Sequence, residues 1–172
     1  RKIVEFLELV RSRYSVRAYE PTPVEEEKLQ LVLEAARLAP TAANRQSFRL
    51  IVIATAGRDA ELQRIYSRNW FTQAPLIICA CTVPDEAWVR VDGKSYADVD
   101  VTIAMDHLIL AARSLDLGTC WVADFDPAVA REILGLPDDV EPVAFTPLGY
   151  PADQLRPKPR KPLSELVRYE RW

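Results

Sequence analysis

Two arginines and a serine near the start of the chain have types and spacing that suit a phosphate group. Arg13, Ser15 and Arg17 alternate with Tyr14 and Val16, and alternate residues of an extended segment point to the same side. Guanidinium groups bind phosphate oxygens in pairs and stay charged at any working pH. Alone, such a pentapeptide is more often a solvated basic corner. A phosphate site therefore needs a second cationic cluster and an apolar slot elsewhere in the chain.

The second cationic cluster lies toward the other end of the chain. The whole chain has a net charge of −3, yet six basic residues fall between positions 156 and 171: Arg156, Lys158, Arg160, Lys161, Arg168 and Arg171. The acidic total and the prolines between these residues argue against a surface for nucleic acid or anionic membrane. Segment 152–172 also ends in several apolar residues. It is predicted to be an arm that docks on another surface, such as a second copy of the chain.

A loop of small and amide side chains, Ala39 to Gln46, could supply the apolar slot. Small side chains let the backbone approach a flat ligand, and Asn44 and Gln46 offer hydrogen-bond donors and acceptors. An ordinary connection between two elements explains the same loop equally well. The chain has five glycines and no glycine-rich phosphate loop, so any phosphate would have to be held by side chains.

Helical patterns flank the first cationic segment. Before it, apolar residues recur at helical spacing at Ile3, Phe6, Leu7 and Val10. After it, Thr22 and Glu25 form a potential capping box around Pro23, which suits a first helical position. This pattern predicts a second helix that Pro40 stops.

The longest predicted helix, Tyr96 to Leu117, is apolar on two sides. Because such a helix must be covered on both sides, one side is predicted to pack in the core and the other at a subunit interface. His107 lies between the two apolar stripes. It is predicted to be a packed, hydrogen-bonded interior residue and not a catalyst.

Apolar runs predict strands at Phe48–Ala54 and Leu76–Thr82. Glu141 and Pro142 open a third, strand-like run that ends at Leu148–Pro151. Cys79 and Cys81 share one face of the second strand and are predicted to be small core residues. An odd count of three cysteines gives no disulfide framework. The irregular spacing of these cysteines with the single histidine argues against a zinc site.

The composition fits one folded domain with an arm. Of the 172 residues, 49% are hydrophobic and 27% charged, which suffices for a sizeable core. The chain shows no signal peptide, and its longest nearly apolar run is too short to span a bilayer. A reducing, cytoplasmic setting is therefore expected.

Five segments, in this order, resemble the FMN-dependent nitroreductase family across essentially the whole chain: Arg13–Arg17, Ala39–Gln46, Leu117–Trp121, Leu148–Pro151 and Lys158–Leu163. Each is a weak signal alone, but the five together are specific for the family, though not for a substrate. The resemblance implies an α+β fold with a central mixed β-sheet flanked by helices, built as an intertwined homodimer. Residues 1–151 would form the FMN-binding domain, and residues 152–172 would dock on the partner subunit.

The resemblance also implies two FMN sites at the interface, each lined by both subunits. Phosphate and ribityl contacts would come from both ends of one chain: Arg13, Tyr14, Ser15, Lys158 and Arg160. Arg17 matches a cationic position near the N1/O2 edge of the flavin. The partner subunit would supply Pro40, Thr41, Ala42 and Asn44. Backbone N–H groups facing N5 and O4 would come from Val122, Ala123 and Asp124.

The implied activity is reduction of nitroaromatic, quinone or similar electron-poor acceptors. NADH or NADPH would reduce FMN and leave before the acceptor binds, in a ping-pong mechanism that requires no side-chain nucleophile or acid–base pair. A guanidinium near N1/O2 would stabilise the negative charge of the reduced flavin and raise its potential. Asp124 stands where a small neutral residue is frequent, so its carboxylate is predicted to lower that potential.

Two alternatives stay open on the residues alone. The same fold could carry another flavin reaction, either dehalogenation or flavin fragmentation, for which Pro84–Tyr96 is the candidate lid. The chain could also be a flavin-binding protein without turnover, used for storage or sensing. The natural acceptor and the preference between NADH and NADPH do not follow from these segments, because a family pattern fixes a cofactor better than a substrate.

Overall fold

The computed structural model describes residues 5–172, so Ile3 of the predicted first helix lies outside it. The elements of this part of the chain are α1 Phe6–Ser12, α2 Glu26–Arg37, β1 Phe48–Ala54, α3 Asp59–Leu62, β2 Leu76–Thr82, α4 Ala97–Ser114, α5 Pro127–Leu134, β3 Glu141–Leu148 and α6 Leu163–Leu166. Among these residues, no helix has the length and apolar character needed to cross a membrane.

The three strands form one sheet in the order β1-β2-β3, with both neighbouring pairs antiparallel. Beyond β3 the sheet continues through single bridges, of which Val122 with Phe145 is antiparallel. The outermost bridge, between Ser15 and Thr119, is parallel. The predicted mixed character of the sheet therefore comes from this edge, and the first cationic segment is attached directly to it.

Both faces of the sheet are buried, and β2 shows why. Ile78 and Ala80 face the core under α2 and α4, whereas Ile77, Cys79 and Cys81 face the core under α5 and the connecting segments. Strand residues alternate between faces, so every side chain from Ile77 to Thr82 is covered. This arrangement confirms the α+β prediction, and it confirms that Cys79 and Cys81 are core residues.

Helix α4 organises one side of the molecule. Val101, Met105 and Leu108 are fully buried against α2 and the sheet. The other side of the helix faces solvent in the single chain, where Val99 is 38% exposed. The prediction that His107 is an interior residue is wrong for the single chain, because its ring lies on the exposed side. The predicted hydrogen bond is present, since Nδ1 is 3.0 Å from the carbonyl oxygen of Ile103.

Helix α5 has the cap and the terminating glycine that its sequence indicates, whereas α2 lacks the predicted capping box. Asp126 caps α5 by accepting hydrogen bonds from two backbone N–H groups, and Gly135 ends the helix in the left-handed conformation, with φ 62°. The predicted capping box at Thr22 is wrong: α2 begins at Glu26, and no side chain caps it. The carboxylate of Glu25 instead accepts the Tyr150 hydroxyl at 2.6 Å, which fastens α2 to the end of β3.

Candidate functional site

A cleft of about 440 Å³ separates the segment after α1 from the C-terminal arm. Five cationic side chains and one carboxylate are among its lining residues, which are Arg13, Tyr14, Ser15, Arg17, Ala18, Asp153, Gln154, Arg156, Pro157, Lys158 and Arg160. The two cationic clusters found in the sequence therefore meet at one place. A cleft of this size and charge suits a small anionic ligand.

The first cationic segment is extended and tied to the sheet edge. Arg13 leaves α1 with φ −67° and ψ 133°, and the Val16 N–H donates to the Thr119 carbonyl oxygen at 2.9 Å. Val16 is buried, whereas Arg13, Ser15 and Arg17 all line the cleft. The three residues therefore face one cleft, as predicted, and Tyr14 lines it with them.

Lys158 joins the arm to the end of α1. Its ammonium group donates to the carbonyl oxygens of Val10 and Arg11, at 3.4 Å and 2.6 Å, and also to that of Arg13. A lysine ammonium has three N–H donors, so these carbonyls use all of them. The positive charge remains in the cleft, where it favours an anion without a direct hydrogen bond.

The cations in the cleft repel one another when no anion lies between them. Partial burial, and then the positive charges of Arg13, Arg160 and Arg113, lower the pKa of Lys158. Like charges brought together in this way are stabilised by a bound anion. The donor set therefore fits the phosphate of a mononucleotide.

Asp153 lines this cleft but was not predicted from the sequence. Its Oδ2 accepts the Arg17 N–H at 2.9 Å, and its carbonyl oxygen accepts the Tyr14 hydroxyl at 3.0 Å. Burial, and then the Asp153 charge, raise the pKa of Tyr14. Within residues 5–172, the buried Oδ1 of Asp153 has no donor. Asp153 thus fixes the first cationic segment while placing a negative charge among the cations.

The cleft adjoins a second groove beside α4. A smaller cavity of about 170 Å³ adjoins Arg13 and Ser15 and is lined further by Asp106, Ile109 and Cys120, among others. Trp121, which is 37% exposed, also lines this cavity. Burial raises the pKa of the Cys120 thiol, so this cysteine is a neutral, space-filling residue. A flat, largely apolar ring could follow an anionic group into this groove.

The loop of small residues lies at the other end of α4. The Ala42 N–H donates to Oδ1 of Asp100 at 2.9 Å, in the first turn of the helix. The groove beside the cleft reaches α4 at Asp106, and Nε of Arg113 donates to Oγ of Ser12. With a rise of about 1.5 Å per residue, these contacts lie about 9 and 20 Å from Asp100 along the helix axis. None of the predicted loop residues lines the cleft of its own chain: Pro40, Thr41, Ala42 and Asn44.

The predicted backbone donors differ from one another. The Val122 N–H is 2.8 Å from the Phe145 carbonyl oxygen, so the sheet already uses it. Ala123 and Asp124 are exposed, directly after Trp121 of the groove. In the part of the chain that the structure describes, their N–H groups have no intrachain acceptor. These two groups are therefore available to a ligand, and that of Val122 is not.

Comparison with known proteins gives the chain its family. The sequence model that describes the nitroreductase family matches residues 10–69 and 58–150 of this chain. The chain belongs to the nitroreductase family. It is accordingly an oxidoreductase, as the sequence resemblance predicted.

Solved and curated relatives of this nitroreductase-family protein agree with its fold. A crystal structure of a nitroreductase family protein from Clostridium difficile is 40% identical, with a TM-score of 0.87 over 98% of this chain and 100% of that one. A protein of Archaeoglobus fulgidus, provisionally named NADH dehydrogenase/NAD(P)H nitroreductase, is 30% identical over 87% of each chain.

Two further relatives carry names that specify a reaction. The FMN reductase [NAD(P)H] of Bacillus subtilis is 26% identical and covers 96% of this chain and 73% of its own. A 5,6-dimethylbenzimidazole synthase of Rhodospirillum rubrum is 28% identical over 93% of this chain and 85% of its own. The family thus includes more than one reaction at this level of similarity.

Proposed function

We propose that this protein is an FMN-dependent oxidoreductase that uses NADH or NADPH to reduce nitroaromatic, quinone or similar electron-poor acceptors. The observation that carries the proposal is the meeting of Arg13, Lys158 and Arg160, from opposite ends of a nitroreductase-family chain, around one cleft. FMN, when bound, supplies the two-electron chemistry between nicotinamide and acceptor. The protein supplies binding, orientation and charge.

The residues at the phosphate end have separate tasks in this proposal. Arg13 and Arg160 bind the phosphate through their guanidinium groups, and Ser15 offers a hydroxyl beside them. Lys158 contributes charge and holds the arm against α1, because its donors are already bound to backbone carbonyls. Tyr14 is held by Asp153 and shapes the wall of the cleft.

At the end of the site that would hold the flavin ring, two backbone N–H groups without an acceptor among residues 5–172 set the orientation of the ring. The N–H groups of Ala123 and Asp124 are the candidates for donation to N5 and O4. The Val122 N–H donates to the Phe145 carbonyl oxygen and so anchors this segment to the sheet. Arg17 is proposed to approach the N1/O2 edge, from a backbone position that Asp153 fixes. The role proposed for these groups is to hold the ring so that nicotinamide and acceptor can occupy one face in turn.

A second copy of the chain completes the proposed site. Thr41 and Asn44 line neither the cleft nor the adjoining groove of their own chain, so in this proposal their loop serves the cleft of a partner. The arm supports this arrangement, because it carries large apolar side chains with little cover: Leu163 is 76% exposed and Trp172 100%. Burying such side chains against a partner removes them from water.

The hairpin before α4 is proposed to cover the acceptor. It is closed by a bridge between Val89 and Ser95, and the Tyr96 N–H donates to the Trp88 carbonyl oxygen at 3.0 Å. It stands at the same end of α4 as the loop of small residues, so in a dimer both would approach the partner's cleft. A cytoplasmic, reducing setting, in which the three buried thiols stay free, belongs to the same proposal.

Subunit mixing tests whether one site uses two chains. Arg13→Gln disables the cleft, and Asn44→Trp obstructs it from the partner loop, so neither homodimer should bind FMN well. Random exchange between the two variants creates heterodimers with one intact site, and about a quarter of all sites should recover. No recovery despite exchange, confirmed by differently tagged chains, would show that each site is built within one subunit.

An anaerobic titration separates the proposed reaction from its alternatives. Reduction of the bound flavin by NADH or NADPH, followed by reoxidation with a nitroaromatic or quinone, supports the proposal. A bound flavin that neither nicotinamide reduces indicates storage or sensing. Loss of the reduced flavin once air is admitted, with formation of 5,6-dimethylbenzimidazole, indicates the fragmentation alternative; this compound is the product in the name of the Rhodospirillum rubrum relative.

A further inference from the structure

Asp100 is a buried carboxylate for which the fold alone gives no reason. It is 1% exposed, in the first turn of α4. Its Oδ1 accepts the Ala42 N–H at 2.9 Å, and within residues 5–172 its Oδ2 has no donor. A buried, half-satisfied acceptor opposes folding. A functional reason for Asp100 therefore lies in the loop around Ala42, to which it is hydrogen-bonded.

That loop has an unusual backbone. Ala43, Asn44 and Gln46 have φ values of 51°, 53° and 53°. This left-handed region is unfavourable for residues other than glycine, and least so for asparagine. Three such residues among four require outside support.

Two hydrogen bonds from backbone N–H groups to side-chain oxygens provide that support. Oγ1 of Thr41 accepts the Gln46 N–H at 3.0 Å, which closes the loop on itself. The bond from Ala42 to Asp100 attaches the closed loop to α4. Of these two bonds, the one to Asp100 is the bond that connects the loop to another element.

We propose that Asp100 is a positioning residue that holds the loop Thr41–Gln46 in its left-handed conformation, ready to contact the flavin of the partner subunit. This inference rests on the proposed function for the identity of the ligand. Asp100 acts through the loop and does not itself touch the ligand. Its effect is to reduce the ordering that the loop would otherwise undergo on binding.

Amide hydrogen exchange tests the holding of the loop without any flavin. In Asp100→Ala, the amides of Ala42 and Gln46 should exchange at least about 10-fold faster than in the wild type, because the tie to α4 is gone. Amides of β2 should be unchanged. Asp98→Asn, an exposed aspartate of the same helical turn, is the control for charge near the helix start and should leave the loop amides unchanged.

Flavin binding tests the consequence. Titration of the apoprotein with FMN, followed by fluorescence quenching, should give a Kd about 10-fold higher for Asp100→Ala than for Asp98→Asn. Asp100→Asn, which keeps an oxygen for Ala42 but loses the charge, should fall between them. If Asp100→Ala does not fold, Asp100→Asn decides, with the same two measurements.

The outcomes are distinguishable from those of the proposed function. Unchanged loop exchange in Asp100→Ala, or a Kd equal to that of Asp98→Asn, would overturn the inference. Uniformly faster exchange across β2 would also overturn it, because it would show a general loss of stability. If the wild type does not bind FMN, the proposed function fails, and the exchange data still decide whether Asp100 holds the loop.

Discussion

The ammonium of Lys158 lies 2.6 Å from the carbonyl oxygen of Arg11, although 147 residues separate the two in sequence. This contact joins the arm to the last turn of α1, where backbone carbonyls lack helical partners. A cation there also interacts favourably with the helix dipole. The cleft therefore depends on a contact between the two ends of the chain as well as on its cationic side chains.

Replacing Lys158 should loosen the arm. Lys158→Met keeps an apolar stem and removes the charge and all three donors, so we expect the Kd for FMN to rise about 10-fold, with a stability loss of about 1 kcal/mol. Fluorescence titration and thermal unfolding measure the two effects. Lys161→Met is the control, because Lys161 is exposed and lies 3.8 Å from Glu165. Equal affinities of the two variants would contradict this role for Lys158.

Asp153 should weaken anion binding through its charge and support it through its hydrogen bond. Asp153→Asn keeps an acceptor for Arg17 and removes the charge, so FMN should bind about 3- to 10-fold more tightly at low salt. Asp153→Ala also removes the acceptor, and should bind less tightly than Asp153→Asn. Titrations at two salt concentrations measure this. Weaker binding by Asp153→Asn than by the wild type would show that the carboxylate serves the ligand directly.

Gly118 permits the close approach of the first cationic segment to the sheet. A Cβ at this position would lie 2.7 Å from Cγ2 of Val16. We expect Gly118→Ala to lose about 1 to 3 kcal/mol of stability by overpacking, and to weaken FMN binding because Val16 lies between Ser15 and Arg17. Chemical denaturation measures the loss. Val16→Ala removes the Cγ2 atom that the new Cβ would meet, so this second substitution should cost less in Gly118→Ala than in the wild type, and an equal cost in both backgrounds would contradict the packing explanation.

Asp124 should lower the potential of the bound flavin. Its side chain is exposed next to the proposed N5 and O4 donors, and a carboxylate near the ring opposes the gain of negative charge. Asp124→Ala should therefore raise the midpoint potential, measured by anaerobic dye-linked titration. Asp138→Ala, at an exposed position on another loop, should not. An unchanged or lower potential in Asp124→Ala would refute the prediction.

Local patterns predicted the parts of this molecule that local forces determine. The alternation of Arg13, Ser15 and Arg17 placed them on one side because the segment is extended. The buried run of β2 was predicted for the same reason, and the Asp126 cap of α5 likewise depends only on neighbours in sequence. The meeting of the two cationic clusters was expected from the family resemblance. A family pattern carries information about tertiary structure that composition does not.

The features that sequence reasoning missed depend on contacts between distant residues. Nothing near Thr22 shows that Glu25 would bond to Tyr150, 125 positions away, instead of completing a capping box. Asp153 sits beside a basic segment without any pattern to mark its bond to Arg17. His107 was expected to be covered because α4 is apolar on two sides, but in the single chain one of those sides faces solvent.

The central claim is that cations from both ends of the chain neutralise one flavin phosphate, and paired titrations with FMN and riboflavin test it most directly. Riboflavin lacks the phosphate, so Arg13→Gln and Arg160→Gln should each raise the Kd for FMN by about 10- to 100-fold and leave that for riboflavin nearly unchanged. Arg64→Gln, which disturbs an exposed pair with Glu132, should change neither. Equal losses for both flavins, or no loss for FMN, would contradict the account.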